Sequence, residues 1–350
     1  MTGESVTYQE QVLGCVVAGA IGDALGAGVE FQSLAQIRGT HGPDGVAGPL
    51  PCYGVDGAVV TDDTQMTLFT LEGLLRASAG ADDGEIAESV HRAHRRWYAT
   101  QRLSGPGRGP VTLPDAGTVD LDGGLSDAVW LYAQRAPGNA CLSGLTSPRR
   151  GTPGHPANPD SKGCGAVMRS APFGLVPAWS PARAFALAAE CGAQTHGHPT
   201  GHLAAAAFAA IVRHLLSGDD VARAVGHTLD LLEAHPQGGE TRSAIVGAVA
   251  AASNGAPSAE RLESLGEGWV AEEALAMSVY CALVHADDLP AALLLAVNHS
   301  GDSDSTGAIT GNLLGLRHGR AALPDVWLNA LEGRTTIEGI SSAFATHFSS

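Results

Sequence analysis

Apolar residues recur at helical spacing along most of this chain. Leu68, Leu71, Leu74 and Leu75 lie at positions i, i+3, i+6 and i+7, which places them on one face of an α-helix. Alternating runs of β-branched residues are nearly absent, and aromatic residues make up only 5% of the chain. The pattern therefore predicts an all-α fold. The same periodicity recurs near residues 181–193, 199–217, 219–234, 270–286, 288–298 and 306–317.

Three segments rich in glycine and proline interrupt the helical pattern, near residues 38–60, 103–124 and 144–163. No linker or block of charge divides the chain, so we expect residues 1–350 to form a single compact multi-helix domain. The many alanine and glycine positions would let its helices approach closely. Long loops in such a fold tend to carry function.

Charge and cysteine content exclude several classes of protein. Twenty Lys and Arg against 36 Asp and Glu give a net charge of −16, which repels a nucleic-acid backbone, so we expect no general nucleic-acid binding. The six cysteines form no C-x-x-C pair, which favours a reducing cytoplasm over a disulfide framework. The apolar stretch 12–25 contains glycines and an aspartate and lacks a basic leader. We therefore expect no signal peptide and no membrane span, and we expect a monomer.

Two acidic clusters, Thr61–Thr64 and Gly301–Thr306, each precede a run of helical periodicity. Asp, Ser and Thr are favoured at helix N-termini because they accept hydrogen bonds from free N–H groups and meet the positive end of the helix dipole. Capping explains either cluster alone, but together they hold more carboxylates than two caps need. Hard oxygen donors of this kind suit Mg²⁺, Mn²⁺ or Ca²⁺ rather than zinc. If the two helix ends face each other, a two-metal site is expected. Its donors are Thr61, Asp62, Asp63, Asp302, Asp304 and Ser305.

The segment Gly22–Phe31 adds two further carboxylates, Asp23 and Glu30. Its glycines are similar to those of a phosphate-binding loop, but no strand precedes it, which disfavours a dinucleotide-binding motif. Glu30 follows a glycine-rich bend and precedes an aromatic residue, so it is a candidate site residue. The alternative is a solvated glutamate.

The histidines allow less specific predictions. His198 and His202 are four residues apart, but Pro199 predicts that a helix begins between them, so they need not share a face as zinc ligands would. We interpret both as structural. His91 and His94 lie in an arginine-rich helical stretch and are predicted to lie on a solvated face.

The chain resembles the ADP-ribosylglycohydrolase family through seven motifs in the family's order. These are Gly14–Glu30, Thr61–Met66, Pro114–Thr118, Lys162–Pro172, Thr195–Pro199, Gly268–Leu275 and Gly301–Gly307. The resemblance implies an all-α fold and a centre of two Mg²⁺ or Mn²⁺ ions. It assigns metal positions to Thr61, Asp62, Asp63, Asp302 and Asp304, with Ser305 where the family more often has Thr.

The resemblance also implies roles for residues outside the acidic clusters. Glu30 matches an acidic residue that lies beside the metals in relatives and is implicated as a ligand or a base. Asp115 matches an acidic loop position suggested as the base, so either residue is a candidate base. Gly163 and Gly165 match a loop whose backbone N–H groups approach a diphosphate, although Lys162 and Cys164 depart from the usual Asn-Gly-x-Gly. His196 matches a position near the bound substrate. Substrate-binding candidates are thus Lys162, Gly163, Cys164, Gly165 and His196.

The function implied by the resemblance is metal-dependent hydrolysis of the glycosidic bond between ADP-ribose and an acceptor. Arginine in a mono-ADP-ribosylated protein is the expected acceptor, because residues 61–66 and 114–118 are similar to the nitrogenase-linked branch of the family. Three alternatives stay open: a non-catalytic ADP-ribose-binding protein, a hydrolase of another ADP-ribose linkage, and a hydrolase of nucleotide-sugar diphosphates.

Overall fold

The structure, a computed structural model, describes residues 6–349, and within them helices dominate. The longer connections contain short 3₁₀ turns. The helices are α1 Tyr8–Gly26, α2 Leu34–His41, α3 Asp62–Leu75, α4 Asp83–Thr100, α5 Asn139–Gly144, α6 Ala171–Gly174, α7 Pro181–Gly192, α8 Pro199–Leu216, α9 Val221–Ala234, α10 Gly239–Ala252, α11 Ala259–Glu263, α12 Ala271–Val284, α13 Leu289–Val297, α14 Ser303–His318, α15 Asp325–Ala330 and α16 Arg334–Phe348.

The predicted all-α fold is confirmed, with one small exception in the segment expected to be a loop at 103–124. Strands β1 Gly109–Leu113 and β2 Gly117–Leu121 form an antiparallel hairpin. A glycine with φ +67° at position 117 permits the tight turn. Such a short hairpin gives too little alternation to be recognised in the sequence.

Helix α8 lies in the centre of the fold and is buried on all sides. Residues 203–212 are all inaccessible to solvent, among them Phe208 and Ile211. A helix that is apolar all round must be surrounded by other elements, and α7, α9 and α12 supply that cover. None of the helices in residues 6–349 combines the length and apolarity needed to cross a membrane.

Helices α1 and α14 run antiparallel and contact each other backbone to backbone. A Cβ atom added at Gly22 would lie 2.0 Å from the carbonyl oxygen of Gly307, and one at Gly315 would lie 2.2 Å from that of Gly14. Only glycine permits so close an approach. The contact brings the C-terminal end of α1 to the N-terminal end of α14, where an added Cβ at Gly26 would lie 2.3 Å from the backbone nitrogen of Asp304.

The prediction that His91 and His94 lie on a solvated face is wrong. Both side chains are buried between α4 and the body of the protein, and the Nε2 atom of His94 lies 2.9 Å from the hydroxyl of Thr70 on α3. Burial lowers the pKa of His91 to about 4, so this ring is neutral near pH 7. The neighbouring arginines, Arg92, Arg95 and Arg96, suggested that this stretch faces solvent. Helical spacing instead puts residues 87, 90, 91 and 94 on the inner face of α4.

The close contact between α1 and α14 predicts a stability difference between two glycine substitutions. Gly22→Ala places a methyl group against the backbone of α14 and should destabilise the fold by about 1–3 kcal/mol. In the control variant Gly226→Ala, in α9, no atom of residues 6–349 outside the helix's own backbone and the neighbouring residues lies within 4 Å of the new Cβ. This substitution should stabilise the fold by about 0.5–1 kcal/mol. Urea unfolding of both variants measures the difference, and equal effects would contradict the contact.

Candidate active site

A cavity of about 660 Å³ opens where the end of α1 meets the starts of α3 and α14. The two acidic clusters, far apart in sequence, face each other across it. The loop that follows residue 161 closes another side. Predicted site residues that line the cavity are Glu30, Asp62, Asp63, Gly163, Cys164, Gly165, His196, Asp302, Asp304 and Ser305.

Asp23, on α1, holds the start of α3 in place. Its fully buried carboxylate accepts hydrogen bonds from the backbone N–H groups of Thr61 and Thr64, at 3.0 Å and 3.1 Å, and from both hydroxyls. The Thr61 hydroxyl therefore donates to Asp23, at 2.9 Å, and Thr61 lies behind the cavity wall. Sequence analysis noted Asp23 but assigned it no role. The feature that could have indicated its role is that Asp23 is a charged residue within the otherwise apolar and glycine-rich second half of α1, where a buried carboxylate needs hydrogen-bond donors.

Three carboxylates converge at the centre of the cavity. One oxygen each from Glu30, Asp302 and Asp304 lies within 4.8 Å of the others. Oε2 of Glu30 and Oδ1 of Asp63 are buried and have no hydrogen-bond partner among residues 6–349. Buried polar atoms are normally paired, so two unpartnered carboxylate oxygens in one cavity point to a binding site.

Burial and mutual repulsion strongly perturb this cluster. Desolvation, followed by the charge of Asp304, raises the pKa values of Asp62, Asp63 and Asp302 well above their usual range. The same causes raise the pKa of Glu30 to about 11. So many carboxylates in one buried place cannot all be ionised without compensating positive charge.

The donor set at this site fits hard divalent cations. All of the acidic side chains that line the cavity offer oxygen atoms, which suit Mg²⁺ and Mn²⁺, and two of those oxygens have no hydrogen-bond partner in the part of the chain that the structure describes. The thiol of Cys164 donates to Oδ2 of Asp302 at 2.8 Å.

The glycine loop is packed against His196. A Cβ atom at Gly165 would lie 2.5 Å from the sulfur of Cys141 and 3.0 Å from Cε1 of His196, so this position requires glycine. The loop is anchored by a hydrogen bond from the backbone N–H of Cys164 to the carbonyl of Trp269, at 3.2 Å. Burial lowers the pKa of His196 to about 3, so the ring is neutral and its Nδ1 lies 2.8 Å from the Thr195 hydroxyl.

Besides Thr61, two predicted site residues lie outside the cavity wall. Asp115 is in the turn between β1 and β2, where its half-exposed carboxylate accepts a hydrogen bond from Tyr98 at 2.5 Å and pairs with Arg102 at 3.2 Å. The ammonium of Lys162 bonds to Glu240 on α10 at 2.8 Å and also to Glu272 on α12. Lys162 therefore ties the glycine loop to two helices.

Sequence analysis missed an aromatic pair at the cavity. The rings of Phe31 and Trp269 are stacked, with centroids 5.3 Å apart and planes at 19°, and both residues line the cavity. Trp269 lies in the family motif Gly268–Leu275, but no residue near it in the sequence indicates that its ring contacts Phe31.

Comparisons with known proteins agree with this architecture. Residues 4–350 match the family model described as ADP-ribosylglycohydrolase. The chain therefore belongs to the ADP-ribosylglycohydrolase family, a class of glycosidic-bond hydrolases, and is an enzyme of this type.

Individual relatives match along nearly the whole chain. ADP-ribosyl-[dinitrogen reductase] glycohydrolase of Rhodospirillum rubrum is 26% identical over 340 residues, covering 95% of this chain and 93% of the relative. ADP-ribosylarginine hydrolase Tri1 of Serratia proteamaculans is 25% identical over 336 residues, covering 95% of this chain and 78% of that relative. A solved structure of an ADP-ribosylglycohydrolase-related protein complex shares the fold, with a TM-score of 0.61 at 22% identity, and covers 97% of this chain and 98% of that one.

The raised pKa values predict how stability changes with pH when metal is absent. In the folded state the pKa of Asp23 is about 7 and that of Glu30 is about 11, and both exceed the values in the unfolded chain. At any pH between the unfolded and the folded pKa of either group, the folded state therefore binds a proton that the unfolded state has lost. Their contribution is full below pH about 4 and is lost as pH rises through the folded pKa. In EDTA, the free energy of unfolding should fall by roughly 2 kcal/mol or more between pH 5 and pH 8.

Urea unfolding at several pH values measures this slope. Asp302→Asn should flatten it by removing one of the repelling carboxylates, whereas Asp56→Asn, at an exposed position, should leave it unchanged. A free energy of unfolding that rises across this window in wild type would show that the buried cluster is not protonated as described.

Proposed function

We propose that this protein hydrolyses the glycosidic bond between ADP-ribose and an arginine side chain of a mono-ADP-ribosylated protein, and that it does so with two Mg²⁺ or Mn²⁺ ions. The convergence of buried carboxylates on one cavity, with two unpaired oxygens, carries this proposal. The name of one relative, ADP-ribosylarginine hydrolase, supports arginine as the acceptor, and the name of the other, ADP-ribosyl-[dinitrogen reductase] glycohydrolase, supports an ADP-ribosylated protein as the substrate.

The carboxylates that line the cavity would hold the metal ions. When bound, the ions would offset most of the cluster's negative charge, bind sugar hydroxyls and make a bound water more acidic. Thr61 does not line the cavity, and its hydroxyl donates to Asp23. We therefore assign to Thr61 the role of fixing the start of α3 beside α1. The ligands would be Glu30, Asp62, Asp63, Asp302 and Asp304, with the hydroxyl of Ser305 beside them.

Of the two candidate bases, the geometry favours Glu30. Its carboxylate lies in the cavity with one oxygen that has no hydrogen-bond partner among residues 6–349, so it could accept a proton once bound cations favour its ionised form. Asp115 accepts from Tyr98 and pairs with Arg102 outside the cavity wall. We assign to Glu30 the proton of the attacking water.

The remaining walls suit the other parts of the substrate. The backbone at Gly163 and Gly165 borders the cavity and could receive the diphosphate, with neutral His196 packed behind it. The acidic side of the cavity suits a cationic acceptor better than a neutral one, since the cluster attracts positive charge. ADP-ribosylated arginine keeps a cationic guanidinium group.

Two conservative substitutions discriminate between the candidate bases. Glu30→Gln should lower kcat for release of ADP-ribose from an ADP-ribosylarginine peptide by roughly 10²–10⁴-fold, the usual contribution of a general base. Asp115→Asn should stay within about threefold of wild type, because this carboxylate lies outside the cavity wall. If Asp115→Asn lowered kcat far more than Glu30→Gln does, the role of general base would pass to Asp115.

Metal dependence is tested by binding and by turnover together. Wild type should bind Mg²⁺ in calorimetry and lose ADP-ribose release in excess EDTA, and Mg²⁺ or Mn²⁺ should restore it. Asp302→Asn should weaken Mg²⁺ binding at least roughly 10-fold, since even indirect partners of a metal affect affinity by this much. Equal turnover in EDTA would reject the metal role, and tight ADP-ribose binding without turnover of any linkage would indicate a non-catalytic binding protein.

A further inference from the structure

Phe31 has an unusual conformation at the mouth of the cavity. Its φ is +69°, in the left-handed region that non-glycine residues rarely adopt, and its side chain is 68% exposed. Large apolar side chains are normally buried, and backbone strain persists where the surrounding structure enforces it, often at ligand sites. The turn that follows α1 thus presents an aromatic ring to solvent directly beside Glu30.

The backbone of Trp269 is held beside the cavity by one hydrogen bond of its own and by the close packing of the preceding residue. Its carbonyl accepts a hydrogen bond from the backbone N–H of Cys164, at 3.2 Å. The preceding Gly268 has φ +84°, and an added Cβ there would lie 3.2 Å from Cβ of Asp302. Trp269 therefore gives Phe31 a rigid partner, and the stacked pair joins the acidic cluster to the glycine loop.

The charges around this pair select the kind of ligand it fits. Glu30 adjoins Phe31 in sequence, and Asp302 and Asp304 lie within reach of Glu30. A planar cation can lie on an aromatic face while it pairs with carboxylates at its edge, and a guanidinium group does both better than an ammonium. A neutral base such as adenine would gain only the stacking, because it carries no charge to pair with the carboxylates.

We propose that Phe31 and Trp269 form an aromatic platform for the guanidinium of the acceptor arginine, and that this platform sets the preference for arginine-linked ADP-ribose. The inference rests on the proposed function and extends it to acceptor specificity. Phe31 positions the leaving group through its ring and takes part in no bond-making step.

Substitutions at Phe31 separate the ring from the backbone conformation. Phe31→Asn removes the ring but tolerates a positive φ, whereas Phe31→Tyr keeps the ring. Phe31→Asn should raise KM for an ADP-ribosylarginine peptide roughly tenfold, within the range of cation–π contributions, with a smaller change in kcat. Phe31→Tyr should restore KM to within about twofold. Val129→Ala, which alters another exposed apolar residue, should match wild type.

Binding measurements identify which part of the substrate the ring holds. Calorimetry with ADP-ribose should give the same Kd for wild type and Phe31→Asn, whereas agmatine, a free guanidinium compound, should bind roughly tenfold more weakly to the variant. Equal losses for ADP-ribose and the arginine conjugate would place the nucleotide on the ring and overturn the proposal. Unchanged binding of both would overturn it as well.

Agmatine also separates this proposal from the proposed function, because its binding needs no catalysis. If wild type fails to cleave arginine-linked ADP-ribose but agmatine binding still depends on the ring of Phe31, the platform stands and the assigned reaction fails. If wild type cleaves the linkage and Phe31→Asn leaves KM and agmatine binding unchanged, the reaction stands and the platform fails.

Discussion

The backbone contact between α1 and α14 is the constraint on which the site depends. Glycines on both helices, such as Gly22 and Gly307, let the two backbones meet with no side chain between them. Because the helices are antiparallel, this contact carries the turn holding Glu30 to the start of α14. It also places Asp23 beside the start of α3, whose first backbone N–H groups it binds. Three helix ends are thereby brought to one cavity.

Gathering carboxylates at one buried place opposes folding, and the packing around the site offsets that repulsion. The fully buried core helix α8 and the tightly packed glycine helices supply rigidity that does not depend on the acidic residues. The unpaired oxygens of Glu30 and Asp63 represent a local cost in stability. Such a cost is typical of sites whose electrostatics serve binding or catalysis rather than folding.

Local chemistry explains which predictions from sequence agreed with the structure. The acidic clusters lie at the starts of α3 and α14, although only α3 has a side-chain cap, in which Thr61 accepts from the backbone N–H of Asp63. Pro199 marks the start of α8 because its fixed φ suits the first helical position. His91 and His94 were misplaced because flanking arginines suggested solvent, although their side chains point inward. The glycine loop that follows Lys162 lines the cavity, whereas the side chain of Lys162 itself forms ion pairs with Glu240 on α10 and Glu272 on α12.

Spacing and residue type over a few positions were enough to predict the helical class, the ends of several helices and the oxygen-rich character of the site, because these properties are local. Which distant groups meet is visible only in the packed fold, where Glu30 meets Asp302, Asp23 meets Thr61 and Phe31 meets Trp269. The packed fold also places Asp115 in a hairpin turn outside the cavity wall. The reason is that close packing between helices is set by contacts across hundreds of residues, and a local pattern carries no record of its partner.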